Sequence, residues 1–186
     1  MTKYRAEIKP LNADKIGTRA HGTAEFELTA TTLKIVVEMF DTPASMQHWE
    51  HFHGFPDGRE AEVPTMVQDV NGDGFIDLEE TFPVSGTTMV PFDDQPDAMN
   101  IPNDTYPVSD QAGHYKYEKE VPLANLQAQF EKTFKTSDLA LDKRVVYVHG
   151  VSPEMPMPAS VGGNLNEKYT CHTTLPIACG KIVKVD

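Results

Sequence analysis

RAHGTAEFELTATTLKIVVEMF, residues 19–40, reads as two runs of alternating residues joined by a polar step. Ala24, Phe26 and Leu28 alternate with polar neighbours, and after Thr29 to Thr32 the residues Leu33, Ile35, Val37 and Met39 do the same. A period of two puts every second side chain on one face of a strand, so this stretch predicts a hairpin of half-buried strands. Working outward, further strands are expected around His51 and His53, over GHYKYEKEV (113–121), over RVVYVHG (144–150) and over GKIVKV (180–185). Such a set is typical of an antiparallel β-sandwich.

One segment departs from this period. PLANLQAQFEKTF, residues 122–134, carries Leu123, Leu126, Phe130 and Phe134 at helical spacing behind a proline suited to a first turn, and predicts one short helix. The proline-rich, acidic stretch from 83 to 112 is expected to be an ordered loop without regular elements, covering part of the sandwich.

With 186 residues, 39% hydrophobic and 24% charged, the chain suits a single domain over 1–186, and its 14 prolines and 12 glycines imply many turns and few long helices. A formal charge of −12 lacks the basic footprint that phosphate binding needs, which argues against nucleic acid and favours metal cations as partners. No run approaches the roughly 18 apolar residues of a membrane span. The start, MTKYRAEIKP, has no apolar stretch of a signal peptide, so a periplasmic or secreted location follows only if a leader has been removed. Composition leaves the oligomeric state open.

DVNGDGFIDLEE, residues 69–80, matches the twelve-residue EF-hand loop at its diagnostic places. A hard cation such as calcium takes about six to eight oxygens, here expected from Asp69, Asn71, Asp73, the Phe75 carbonyl, Asp77 and Glu80, with Gly74 at the sharp turn. Pro64 before the loop, Pro83 after it and the lack of a second copy argue against a paired sensor. A structural calcium ordering a long connection is the expectation.

HWEHFHGF, residues 48–55, holds three histidines and the only tryptophan. If residues 49–53 are extended, His51 and His53 share a face, whereas His48 has the opposite parity and joins them only through a bulge or bend. His149 closes the RVVYVHG strand, where a facing strand brings it to the pair. A single histidine is more often an ordinary polar or core residue; three of suitable parity point to a mononuclear metal site. Three neutral imidazoles suit zinc and copper alike, and raw affinity favours copper. Met46, Met155, Met157 and His172 lie near these motifs, while His21 and His114 read as structural. Trp49 either covers the site or anchors the core. Cys171 and Cys179 are close enough in sequence to close a small loop in an oxidising compartment.

HFHG (51–54), VVYVHG (145–150) and LPIACGKI (175–182) resemble, in order, the His-x-His strand, the later strand-end histidine and the closing cysteine-glycine strand of Cu,Zn superoxide dismutases. The pattern is also similar to a bacterial family related to dismutases and CHRD domains, with H-x-x-H-x-H-G, FPDGR, N-G-D-G-x-I, V-x-x-H-G and LPxACG in that order; here these fall between His48 and Gly180. The resemblance implies a Greek-key β-sandwich with copper ligands His51, His53 and His149. It also marks departures. No histidine lies between 54 and 113, so the zinc half of a dismutase is missing; Pro176 stands where a dismutase has its substrate-steering arginine; and Val63 stands where relatives often carry a cysteine, which leaves Cys171 as the only intrachain partner for Cys179.

These readings converge on a metal-binding protein of dismutase-like fold with a copper (or zinc) site and a structural calcium loop. A copper-only dismutase-like oxidoreductase and a non-catalytic calcium-stabilised module are the alternatives. A zinc hydrolase ranks last, since no motif supplies its general base.

Overall fold

The structure, a computed structural model, describes residues 1–185. Eight strands alternate with long connections: β1 Thr2–Pro10, β2 His21–Leu28, β3 Thr32–Phe40, β4 Glu50–Gly54, β5 Thr87–Pro91, β6 Tyr115–Pro122, β7 Val145–His149 and β8 Pro176–Lys184. Every pairing is antiparallel, in the order β5-β4-β7-β8-β1-β2-β3-β6. The sheet curls into a half-barrel in which β8 joins the two halves, pairing with β7 through its first residues and with β1 through its last. Short α-helices are α1 Ala13–Ile16, α2 Leu78–Ser85, α3 Leu123–Phe134 and α4 Cys171–Thr174.

The alternation read in residues 19–40 sets the core. Ala24 and Phe26 on β2 and Leu33, Ile35, Val37 and Met39 on β3 are fully buried and face Phe52, Val146, Val148 and Ile182 of the other half in one cluster. The hairpin closes as expected at Thr29, whose N–H donates to the Thr32 carbonyl at 2.9 Å while the two hydroxyls meet at 2.9 Å. The helix begins at Leu123, with Pro122 as its N-cap rather than its first residue, and buries Leu123, Leu126 and Phe130.

Two expectations need correction, and one strand adds to those expected. The stretch from 83 to 112 is not free of regular structure: α2 runs to Ser85 and TTMVP forms β5, which pairs with β4. The added strand is β1, in which Tyr4, Ala6 and Ile8 alternate with the charged Lys3, Arg5, Glu7 and Lys9 and only Ala6 and Ile8 are buried. There are four short α-helices among the described residues, not one; α2 follows the calcium-type loop and contains Pro83, which forgoes one backbone hydrogen bond in its second turn.

Candidate metal centre

β4 and β7 lie in the middle of their half of the sheet, and all five residues of each are buried. Their inner faces enter the main core; their outer faces are covered by the connections 92–114 and 150–175 and by α2, which is how three histidines come to lie dry on a sheet surface. Tyr147 pairs across from His51, and the His149 N–H donates to the Trp49 carbonyl at 2.8 Å, so His149 lies diagonal to His51 on the shared face. Register shifts between Phe52 and His53 on one side and between Val148 and His149 on the other re-aim two of the three rings.

His51, His53 and His149 are each at most 2% exposed. Their ring centroids stand 5.1 Å (His51–His149), 5.7 Å (His53–His149) and 5.9 Å (His51–His53) apart, and one nitrogen of each lies within 4.8 Å of the others. Nitrogens about 2.0–2.1 Å from a common ion stand no more than about 4.2 Å apart. The rings therefore need only a small inward adjustment.

Hydrogen bonds set which nitrogen faces the centre. The Tyr106 hydroxyl donates to the Ile101 carbonyl at 2.7 Å, so its oxygen accepts from His51 Nε2, 2.9 Å away, and Nδ1 keeps its lone pair. His149 Nδ1 donates to the Thr174 carbonyl at 2.8 Å, which leaves Nε2 bare. His53 Nε2 lies 3.4 Å from the Thr88 hydroxyl. Among the described residues His51 Nδ1, His53 Nδ1 and His149 Nε2 are thus buried without a partner. Each costs about 1–3 kcal/mol when sealed from water without a partner.

Burial holds His51 and His53 well below the ordinary imidazole range, with the neighbouring histidines adding to the effect, and pushes His149 down to about 4. All three are neutral at pH 7, the state that ligates metal. A cavity of about 90 Å³ reaches His51 and His149 between Trp49, Leu78, Ile101 and Leu165. Organic ligands occupy clefts of about 300–1,000 Å³, so only water or a molecule of a few atoms fits here.

His48 does not join the trio. Its ring nitrogens face the Pro43 carbonyl at 2.8 Å and the His149 carbonyl at 3.0 Å, and it stacks on Tyr115, so it braces the backbone behind His149. Glu50, between Trp49 and His51 in the chain, points to the inner face, where the Tyr115 hydroxyl donates to it at 2.9 Å and burial pushes its carboxyl well above the usual range. His172 Nε2 is tied to the Met155 carbonyl at 2.7 Å, and Met155 and Met157 pack against the core. His21 and His114 flank the half-exposed Phe40 at the sheet's far end. Cys171 and Cys179 stand as free buried thiols in different clusters, so the pairing considered from sequence is not formed; burial raises both, Cys179 to about 12.

In the loop 69–80, the carboxylates of Asp69, Asp73 and Glu80 converge. Gly74 has φ of 88°, a left-handed turn that glycine adopts freely, and its N–H donates to Asp69 Oδ2 at 2.9 Å. Asn71 Oδ1 accepts from the Asp73 N–H and Asp73 Oδ1 from the Phe75 N–H, folding the loop around a common centre toward which Asp69 Oδ1 is buried without a partner. Asp77 stands outside this group: Oδ1 caps α2 through the Glu80 N–H, and Oδ2 accepts from the Gly162 N–H at 2.7 Å. Burial, with the nearby Asp77 and Asp69 charges, raises Glu80.

The two sites are linked. Asn71 and Asp73 hold Ser160, and Asp77 holds Gly162; the Thr174 hydroxyl donates to the Gly163 carbonyl at 2.8 Å, and the Thr174 carbonyl orients His149. Neither Tyr106 nor Thr174 was marked by the sequence: one sits in a proline-rich loop and the other in a short turn, and their roles exist only through contacts made across the fold. Compared with known proteins, the chain matches no family model and no curated protein.

Proposed function

We propose that this is a metal-binding protein with a dismutase-like Greek-key β-sandwich, holding one copper (or zinc) ion through His51, His53 and His149 and a structural calcium through Asp69, Asn71, Asp73, the Phe75 carbonyl and Glu80, with Asp77 capping α2 beside it. The observation that carries the reading is the set of three buried, partnerless imidazole nitrogens beside one another, each ring steered from behind by Tyr106, Thr88 or Thr174. A cation accepting three lone pairs removes a desolvation cost that nothing else nearby offsets. The crossings β3 to β4 and β6 to β7 in the strand order support the Greek-key assignment. Copper is preferred because neutral imidazoles bind it more tightly than other divalent first-row ions.

A copper ion so held supplies one-electron chemistry, and the small cavity beside it admits only a small molecule. A dismutase-like oxidoreductase is the second reading, favoured by that cavity. Against turnover stand Pro176 in the place of the steering arginine and the charge of −12, which repels an anionic substrate. Arg144 does not substitute: it is buried under Gly54 and donates to the Leu139 and Phe55 carbonyls. Superoxide decay with copper-loaded protein, compared with the same copper free in buffer, separates the two. No acceleration above free copper supports binding alone; a rate well above it, lost in His149→Ala, establishes the oxidoreductase.

A further inference from the structure

His51, His53 and His149 are sealed, and the cavity beside them is too small for any redox partner larger than a few atoms. Electrons exchanged with a larger partner have to cross the protein. We propose that Tyr169, Trp49 and Tyr106 form an electron path between the surface and the histidine-held copper, and that the protein exchanges electrons with an outer-sphere one-electron carrier at Tyr169. This rests on the copper reading above.

The path is continuous. Tyr106 touches His51 through the 2.9 Å hydrogen bond to Nε2. Its ring stacks on Trp49, centroids 5.4 Å apart at 26°, and Trp49 meets Tyr169 at 5.0 Å. Trp49 also meets the His51 ring edge-on at 6.1 Å. Trp49 and Tyr106 are each 3% exposed, while Tyr169 is partly exposed, its hydroxyl donating to Asp104 Oδ1 at 3.2 Å.

The Tyr106 hydroxyl already serves His51 and the Ile101 carbonyl, but packing alone does not account for tryptophan at 49. Among the described residues neither Trp49 nor Tyr106 belongs to the hydrophobic core clusters, and the buried Trp49 N–H has no acceptor, a cost a phenylalanine avoids. What tryptophan and tyrosine add over phenylalanine is easier one-electron oxidation, and Tyr169 has a carboxylate in place to take its proton.

The step balances as one electron. The external acceptor takes an electron from Tyr169 while the phenol proton passes to Asp104. Trp49 refills Tyr169 and the proton returns. A cuprous ion held by the three histidines would refill Trp49 through the His51 ring and Tyr106, giving up one electron to become cupric. The acceptor is reduced by one electron and no proton is lost.

The test uses copper-loaded, ascorbate-reduced protein and a flash-generated ruthenium(III) polypyridyl oxidant, with cupric EPR and transient radical absorption as readouts. The fast appearance of the cupric signal is expected in the wild type and in Tyr4→Phe, a tyrosine off the path, and is expected to be lost in Trp49→Phe and Tyr169→Phe, which keep an aromatic ring for packing. In zinc-loaded protein, where the metal supplies no electron, a long-lived Trp49 or Tyr169 radical is expected. Equal rates in all variants with normal copper signals overturn the path alone. A wild type with no nitrogen-coordinated cupric signal overturns the copper reading and the path with it.

Discussion

His51 Nε2 stands 2.9 Å from the Tyr106 hydroxyl, whose own proton is committed to the Ile101 carbonyl 2.7 Å away. The tyrosine is therefore an acceptor toward the histidine, and it fixes the tautomer that leaves Nδ1 bare. Tyr106→Phe keeps the ring and frees the histidine to turn. Copper affinity is expected to fall about 10–100-fold, the usual cost of removing a group that orients a ligand. A competition titration against a chelator of known affinity reads the change, with little change in melting temperature.

Acid is expected to unfold the metal-free protein in a defined window. His51, His53 and His149 have folded-state values below the ordinary 6.5, His149 at about 4, so between these values the unfolded chain binds more protons than the folded one. The stability from keeping them neutral is fully present above pH 6.5 and is lost as pH falls through the folded values, about 4 for His149, each group steepening the fall by up to about 1.4 kcal/mol per pH unit. Glu50 works oppositely: its raised carboxyl stabilises the fold below its ordinary 4.5, and that contribution fades as pH rises through the folded value. Urea midpoints across this range check both limbs, and Glu50→Gln removes the second.

Calcium is expected to raise the melting temperature and chelation to lower it, with about 2.7 kcal/mol gained at a hundredfold excess over the dissociation constant. Glu80→Gln abolishes the shift. Through Ser160, Gly162 and Thr174 the loop also braces His149, so calcium removal is expected to weaken copper binding at the histidines. A copper titration with and without calcium reads that coupling.

The core claim is tested at Phe26, fully buried and edge-on to Phe92 at 5.8 Å. Phe26→Ala is expected to cost about 3–5 kcal/mol, read as a lower denaturant midpoint. An equal truncation at exposed Phe40 is expected to cost far less.

Much of this was legible in sequence because a period of two survives wherever one face of a strand is buried and the other wet, as on β2 and β3. The readings faded where that contrast disappears. On β4 and β7 both faces are buried, so no polar–apolar alternation marks Glu50, which lies in the core. β5 is five residues set among prolines, too short for a period to show. Strand parity puts His51 and His53 together and His48 apart, which is where the rings stand. Ring direction was beyond sequence, because Tyr106 reaches His51 across 55 residues and the Thr174 carbonyl reaches His149 across 25.

The most direct test of the metal centre is the EPR spectrum of protein carrying one equivalent of cupric ion. A single bound copper with superhyperfine splitting from three nitrogens is expected, with one nitrogen fewer in His149→Ala and no change in His48→Gln. A spectrum of adventitious copper, indifferent to His51, His53 and His149, would contradict it.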